Sequence, residues 1–205
     1  MPFLNGQRVS IMTDSGQKDG KLVDERIYLD KQSLLEIEQR IRIERHVERY
    51  ALLRQFAKGV VCDAACGCGY GSYLLATNPD VSKVIGLDCS SEAIAFARKE
   101  YHHDNLAFHE VDLSQWKSTE RIDMLISAET IEHVEDRTIL PEFVNRNSIN
   151  HLILTYPSKK TSHYNSFHHH NYKKQDVLDL FEGFTCYRHF NWQWEFDVVF
   201  LLRPA

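Results

Sequence analysis

Apolar residues recur along this 205-residue chain in two rhythms that take turns, and their succession predicts the architecture. From Ser33 to Phe56 the spacing is helical: Leu34, Ile37 and Ile41 share a stripe, and Val47, Ala51 and Leu52 continue the apolar content. Glu36, Glu38, Arg40, Arg42, Glu44 and Arg45 fall between them as a solvated face. Short β-type runs follow, at Val60–Asp63, Val84–Asp88, Leu106–Val111, Ile122–Ser127, Leu152–Tyr156, Phe184–Phe190 and Phe196–Leu202. Helical segments separate most of them, around Tyr73–Ala76, Glu92–Tyr101, Leu140–Asn145 and Gln175–Phe181. This alternation predicts an α/β fold, a Rossmann-like doubly wound sheet of seven mostly parallel strands with helices on both faces. Residues 1–32, with Gly6, Gly16 and Gly20, read as an N-terminal arm, and residues 33–205 as one domain.

The first strand runs into a loop with glycine at every second position: Gly67, Gly69 and Gly71. Residues with almost no side chain let the backbone pass directly against a ligand, as in a dinucleotide-binding turn. Two details point away from a dinucleotide. The spacing is GxGxG with Ser72 at the position of a third glycine, and Asp63 precedes the loop at the strand end. A pyrophosphate wants bare amides and no carboxylate close by. S-adenosylmethionine instead carries an amino group and a sulfonium, which an acid tolerates. Asp88 ends the second strand, where a carboxylate accepts from both ribose hydroxyls of either cofactor, so it is shared support. Asp112, followed by Leu113, ends the third strand, where side chain and backbone reach an adenine edge. Each acid alone reads equally as a helix N-cap, but three at three successive strand ends favour a cofactor site.

Composition narrows the class without naming a substrate. A net charge of −5 argues against a broad grip on a nucleic-acid backbone. No apolar run reaches spanning length and no charged head precedes an apolar stretch, so the expectation is a cytoplasmic protein without membrane span or secretion signal. Of five cysteines, Cys62, Cys66 and Cys68 lie in or beside the glycine loop without the usual zinc spacing, and they read as small residues packing a tight turn.

Four segments carry a family resemblance. They are Glu48-Arg49-Tyr50, the loop with Cys66-Gly67 and Tyr70-Gly71-Ser72, the run Ser127 to Asp136, and Asn165-Ser166-Phe167-His168 followed by Tyr172. Together they resemble the class I S-adenosylmethionine-dependent methyltransferases, over roughly Arg45 to Leu202, and most of all the small methyltransferases of polysaccharide and lipopolysaccharide biosynthesis. The resemblance implies that Asp63, Gly67, Gly69 and Gly71 surround the methionine part of the cofactor, Asp88 the ribose, and Asp112 with Leu113 the adenine. Ala65, where the family has glycine, Cys68 and Cys89 complete the implied cofactor-binding set. The family's paired-glycine turn before the fifth strand is replaced by the stretch from Asn145 to Asn150.

Chemistry is expected after the fourth strand, at the C-terminal sheet edge. Glu129 and His133 lie there, and with His168 they are the candidate catalytic residues; His133 is the first candidate base because imidazole titrates near working pH. Ordering the loop by hydrogen bonding is the alternative role for such a histidine. Glu129, Glu132, His133 and His168 also resemble the metal site of the small-RNA 3′-terminal 2′-O-methyltransferases, an O/N ligand set suited to Mg2+, Mn2+ or Fe2+. Arg49 could hold a carboxylate or cap its helix; Tyr187, Phe190, Trp192 and Trp194 could line a sugar pocket or pack; Lys159 and Lys160 could meet an acceptor phosphate or stay solvated. The expected acceptor is a small molecule, a sugar or sugar-nucleotide hydroxyl, with an RNA 3′ end or another small-molecule class as the alternatives.

Overall fold

A computed structural model describes residues 30–162 and 165–204. The N-terminal arm therefore lies outside the described residues except for its last three positions, as do His163 and Tyr164 of the histidine-rich loop. The chain divides after His46 into two compact units. Within the first, α1 (Lys31–Arg54) begins behind Asp30, whose carboxylate accepts from the Ser33 amide at 2.8 Å. Leu34 and Ile41 of the expected apolar stripe are exposed there, at 52% and 39%.

The second unit holds the last two turns of α1 and everything after. Its elements are β1 (Gly59–Ala64), α2 (Tyr70–Ala76), β2 (Val81–Asp88), α3 (Ser91–Glu100), β3 (Leu106–Glu110), β4 (Met124–Ala128), α4 (Ile139–Arg146), β5 (His151–Pro157), α5 (Lys174–Leu180), β6 (Thr185–Trp192) and β7 (Phe196–Leu202). They form one seven-stranded sheet in the order β3-β2-β1-β4-β5-β7-β6. β1 pairs in parallel with β2 and β4, and β5 in parallel with β4, while β7 enters antiparallel between β5 and β6.

Side chains alternate across the sheet as the period of two demands. Cys62, Leu125, Leu152 and Leu154 go to one core with Phe143 and Val144 of α4 and Val177 of α5. Val61, Met124, Ile126 and Ile153 go to the other, with Leu52 and Leu53 of α1 and Leu75 of α2. Burial on both faces explains why these strands read as continuous apolar runs. In the stretch that replaces the family's glycine turn, Ser148 takes the left-handed conformation (φ 52°), and its amide donates to the Asn145 carbonyl. The turn therefore closes without glycine, and the strand order beyond it is intact.

Strand order reverses between β1 and β4. In open α/β sheets that switch point opens a crevice outside the C-terminal strand ends, and the glycine loop and the run after β4 both leave from there.

Candidate active site

The cofactor side is built from beneath. Asp63, at the penultimate position of β1, is fully buried; one oxygen accepts from the Tyr50 hydroxyl at 3.0 Å and the other from the Ser72 hydroxyl at 2.6 Å. Burial pushes its carboxyl up to about 6, against the pull of those two donors. Asp63 thus braces the loop from below, tying the end of α1 to the start of α2. Gly71 makes the brace possible: a Cβ there would stand 2.3 Å from the Tyr50 ring. The loop turns over Gly67 (φ 54°), where a Cβ would meet nothing within 4 Å among the described residues, leaving room on that face for a ligand. The Gly67 amide donates to Asp88 at 2.8 Å, and the other Asp88 oxygen accepts from the Ser90 amide at 2.9 Å. Each oxygen therefore keeps acceptor capacity for a ribose hydroxyl.

Other expected residues of this half fall around the same cradle. Ala65, where the family resemblance implies glycine, adopts the left-handed conformation (φ 61°). Cys68 and Cys89, the residues after Gly67 and Asp88, are exposed, whereas Cys66 is buried beneath the loop and its thiol is pushed up by that burial. Gly69 stands at the N-cap of α2 (φ 84°). Asp112 is exposed with its carboxylate on the Ser114 amide at 2.8 Å, and the Leu113 carbonyl accepts from Arg146 at 2.9 Å.

The other half follows β4. Glu129 is left-handed (φ 53°), a costly conformation for glutamate that persists because Thr155 and Arg49 over-determine it. The Thr155 hydroxyl accepts from the Glu129 amide at 3.1 Å and donates to its carboxylate at 2.9 Å. The second carboxylate oxygen lies 3.5 Å from Arg49, whose guanidinium stacks 4.6 Å over the Phe196 ring. Burial raises the Glu129 carboxyl, opposed by Arg49 and then by Thr155.

Glu132 is 1% exposed, and neither of its oxygens meets a donor among the described residues. Burial first, then the neighbouring Glu129, pushes its carboxyl up to about 9. Beside it, His133 Nδ1 is 3.0 Å from the Phe167 carbonyl. A carbonyl only accepts, so Nδ1 carries a proton, and Nε2 lies 3.9 Å from Glu132. His168 bonds the Thr161 hydroxyl through Nδ1, and its ring meets that of His133 edge-on at 4.4 Å. Burial, with His133 beside it, lowers the His168 pKa. One ligand atom each from Glu132, His133 and His168 lies within 4.8 Å of the others. Backbone bonds set this approach: the amides of His169 and His170 both donate to the Glu132 carbonyl, at 2.8 and 3.3 Å. The His170 ring bridges Arg137 and the Glu135 carbonyl, away from the cluster.

Three of the four expected ligands thus converge, and Glu129 is turned to Arg49 and Thr155 instead. Sequence reasoning missed Thr155, Thr161 and Ser72, the hydroxyls that orient Glu129, His168 and Asp63. Thr155 was detectable, since a polar residue between Leu154 and Tyr156 interrupts an apolar strand.

A family model described as a methyltransferase domain matches residues 55–184. Among solved structures, a putative methyltransferase of Haloferax volcanii, in complex with the activator Trm112, is 16% identical with a TM-score of 0.64, over 78% of this chain and 90% of that one. A SAM-dependent methyltransferase of Aquifex aeolicus is 15% identical with a TM-score of 0.62, over 77% and 89%. The magnesium protoporphyrin IX methyltransferase of Synechocystis PCC 6803, with bound S-adenosylhomocysteine, is 17% identical with a TM-score of 0.61, over 86% and 89%. Among curated proteins none matches the sequence significantly. Strand order and the matched domain agree: the chain belongs to the class I S-adenosylmethionine-dependent methyltransferases.

Proposed function

We propose that this methyltransferase transfers its methyl group to a hydroxyl of a sugar or sugar nucleotide in polysaccharide biosynthesis, with a divalent cation held by Glu132, His133 and His168. The observation that carries the reading is the buried Glu132 carboxylate, without a donor among the described residues, beside two imidazole nitrogens. A buried acid of this kind is costly unless a cation compensates it. One carboxylate and two imidazoles suit Mg2+, Mn2+ or Fe2+ and leave coordination positions for acceptor oxygens. When bound, S-adenosylmethionine supplies an electrophilic methyl on its sulfonium, and the ion lowers the pKa of a hydroxyl.

The residues supply the rest. Asp88 and the Gly67 amide hold the ribose side of the cradle, with Cys89, Asp112 and Leu113 toward the adenine and Ala65, Cys68, Gly69 and Gly71 along the loop. Glu129, fixed by Arg49 and Thr155, presents its backbone turn to the acceptor and aligns the hydroxyl for displacement. With Nδ1 engaged by the Phe167 carbonyl, His133 has Nε2, on the Glu132 side, to bind a cation or, without one, to take a proton. Five unpaired thiols fit a reducing compartment, the cytoplasm. Among the described residues no helix is long and apolar enough to cross a membrane.

An RNA 3′ end is the second reading, favoured by the Glu129 to His133 run with a later histidine and opposed by the net charge of −5. A methyl-transfer screen decides among them: nucleotide sugars, sugar phosphates and RNA 3′ ends, each with Mn2+, with Mg2+ and with chelator. Sugar-nucleotide turnover that chelator abolishes is the expected result. Full activity in chelator would remove the cation and leave His133 as the base.

A further inference from the structure

The tip of the β6–β7 hairpin carries a feature that the methyl-transfer chemistry leaves unexplained. Gln193 and Trp194 both take left-handed backbone conformations, at φ 51° and 62°. Bulky residues avoid this region, at a cost of about 1–2 kcal/mol each. Glycine or asparagine would form the same turn at less cost. Yet the second position is tryptophan, and it is 78% exposed. The turn is locked from two sides: the Trp194 amide donates to the Asn191 side chain at 2.7 Å, and its carbonyl accepts from the Ser158 hydroxyl at 3.1 Å. An isolated exposed apolar ring is ordinary; one whose backbone is fixed in a strained turn is a presented ring.

Its neighbours set what it is presented to. Ser158 also donates its amide to the Glu195 carbonyl, and the exposed Lys159 and Lys160 follow it directly. Those lysines lie on the short span between Thr155, which fixes Glu129, and Thr161, which bonds His168. On the hairpin side, Phe196 pairs with Pro157 and carries the Arg49 guanidinium that meets Glu129. The corner formed by Trp194, Lys159 and Lys160 is therefore tied at three points to the acceptor half of the site.

An exposed ring on a turn that is bonded to Ser158, with two exposed lysines next in sequence, matches a base joined to a diphosphate: the ring stacks a base of any identity, and lysine binds phosphate as a point charge. We propose that this corner is a handle subsite for the nucleoside diphosphate of the acceptor, with the base on Trp194 and the phosphates on Lys159 and Lys160. This rests on the sugar-nucleotide reading above and narrows it to acceptors methylated while still nucleotide-activated. Glu195 shares the turn and disfavours a longer polyanion.

Calorimetric titration of the full chain with UDP, with uridine and with inorganic pyrophosphate, each with and without S-adenosylhomocysteine, tests the assignment. Saturable UDP binding is expected, weakened about 10-fold or more in Trp194→Ala, as loss of one stacked base implies. Uridine should share the Trp194 sensitivity and pyrophosphate should not. The double variant K159E/K160E should lose pyrophosphate and flatten the salt dependence of UDP binding. S-adenosylhomocysteine affinity should be unchanged in both variants. Equal UDP affinity in wild type and Trp194→Ala would overturn the subsite, as would a single-stranded RNA oligomer that binds more tightly than UDP. Failure of S-adenosylhomocysteine to bind would instead count against the methyltransferase reading, and UDP titrated alone still decides the corner.

Discussion

Replacing Glu132 by glutamine should make the metal-free protein more stable at alkaline pH while abolishing its response to divalent ions. Glu132 is 1% exposed without a donor among the described residues, and its folded pKa of about 9 lies above the ordinary 4.5. A carboxyl raised in this way keeps its proton in the folded chain after the unfolded chain has released it. Its contribution to stability is whole below pH 4.5 and is lost progressively as pH rises toward about 9. The difference is one proton, so each pH unit inside that window costs about 1.4 kcal/mol, or about 3 kcal/mol between pH 6 and 8. That is a large part of the 5–15 kcal/mol, roughly, that holds a domain folded. Glutamine has the same shape and no proton to lose. Asp63, raised to about 6, adds a slope of the same sign at lower pH, but it is present in both proteins and cancels. Urea unfolding in chelator at pH 6, 7 and 8 should therefore give a steeper decline for wild type than for Glu132→Gln. With Mn2+ at a hundredfold excess over its Kd, wild type should recover about 2.7 kcal/mol and the variant nothing. Parallel pH profiles for the two proteins would refute the reasoning.

Gly71→Ala should drive a methyl group into the Tyr50 ring, 2.3 Å away, and loosen the hold on Asp63; a loss of about 1–3 kcal/mol in urea unfolding and weaker S-adenosylhomocysteine binding by calorimetry are expected. Ala65→Gly relieves a left-handed alanine (φ 61°) and should leave stability unchanged or raise it by about 1 kcal/mol, since the relief of about 1–2 kcal/mol outweighs the greater freedom of an unfolded glycine. Thermal melts read this directly, and a clear fall in melting temperature would contradict the φ assignment. Arg49→Gln strips the counter-charge from the mostly buried Glu129 and should cost about 3 kcal/mol in urea unfolding at pH 8, with a smaller loss at pH 5, where Glu129, its pKa already raised by burial, is more readily protonated.

Much of the architecture was legible because burial on both sheet faces leaves little ambiguity. The runs around Val61, Ile126 and Ile153 admit few polar residues, and the strands appear within three residues of their expected ends. The glycine loop was legible for a related reason: the close approach of Tyr50 excludes a side chain at position 71 whatever the partner. Placement of the acids was harder to read. Asp63 was expected to surround the cofactor, yet it is fully buried and bonded to Tyr50 and Ser72, partners 13 and 9 residues away on different helices. Glu129 was grouped with Glu132 by spacing, but Arg49, eighty positions earlier, draws it elsewhere. Spacing within a loop says which residues are neighbours in sequence; which way each carboxylate turns is settled by groups the fold brings from afar.

The loop that carries His168 is fastened to the run after β4 by the amides of His169 and His170 on the Glu132 carbonyl. Every residue except proline owns such an amide. The side chain at position 169 can therefore change without shifting the imidazole one place before it, so the register of His168 against Glu132 is written in the backbone and not in the neighbouring side chains. Proline at 169 would remove the shorter of the two bonds and proline at 170 the longer, and each alone leaves the other in place.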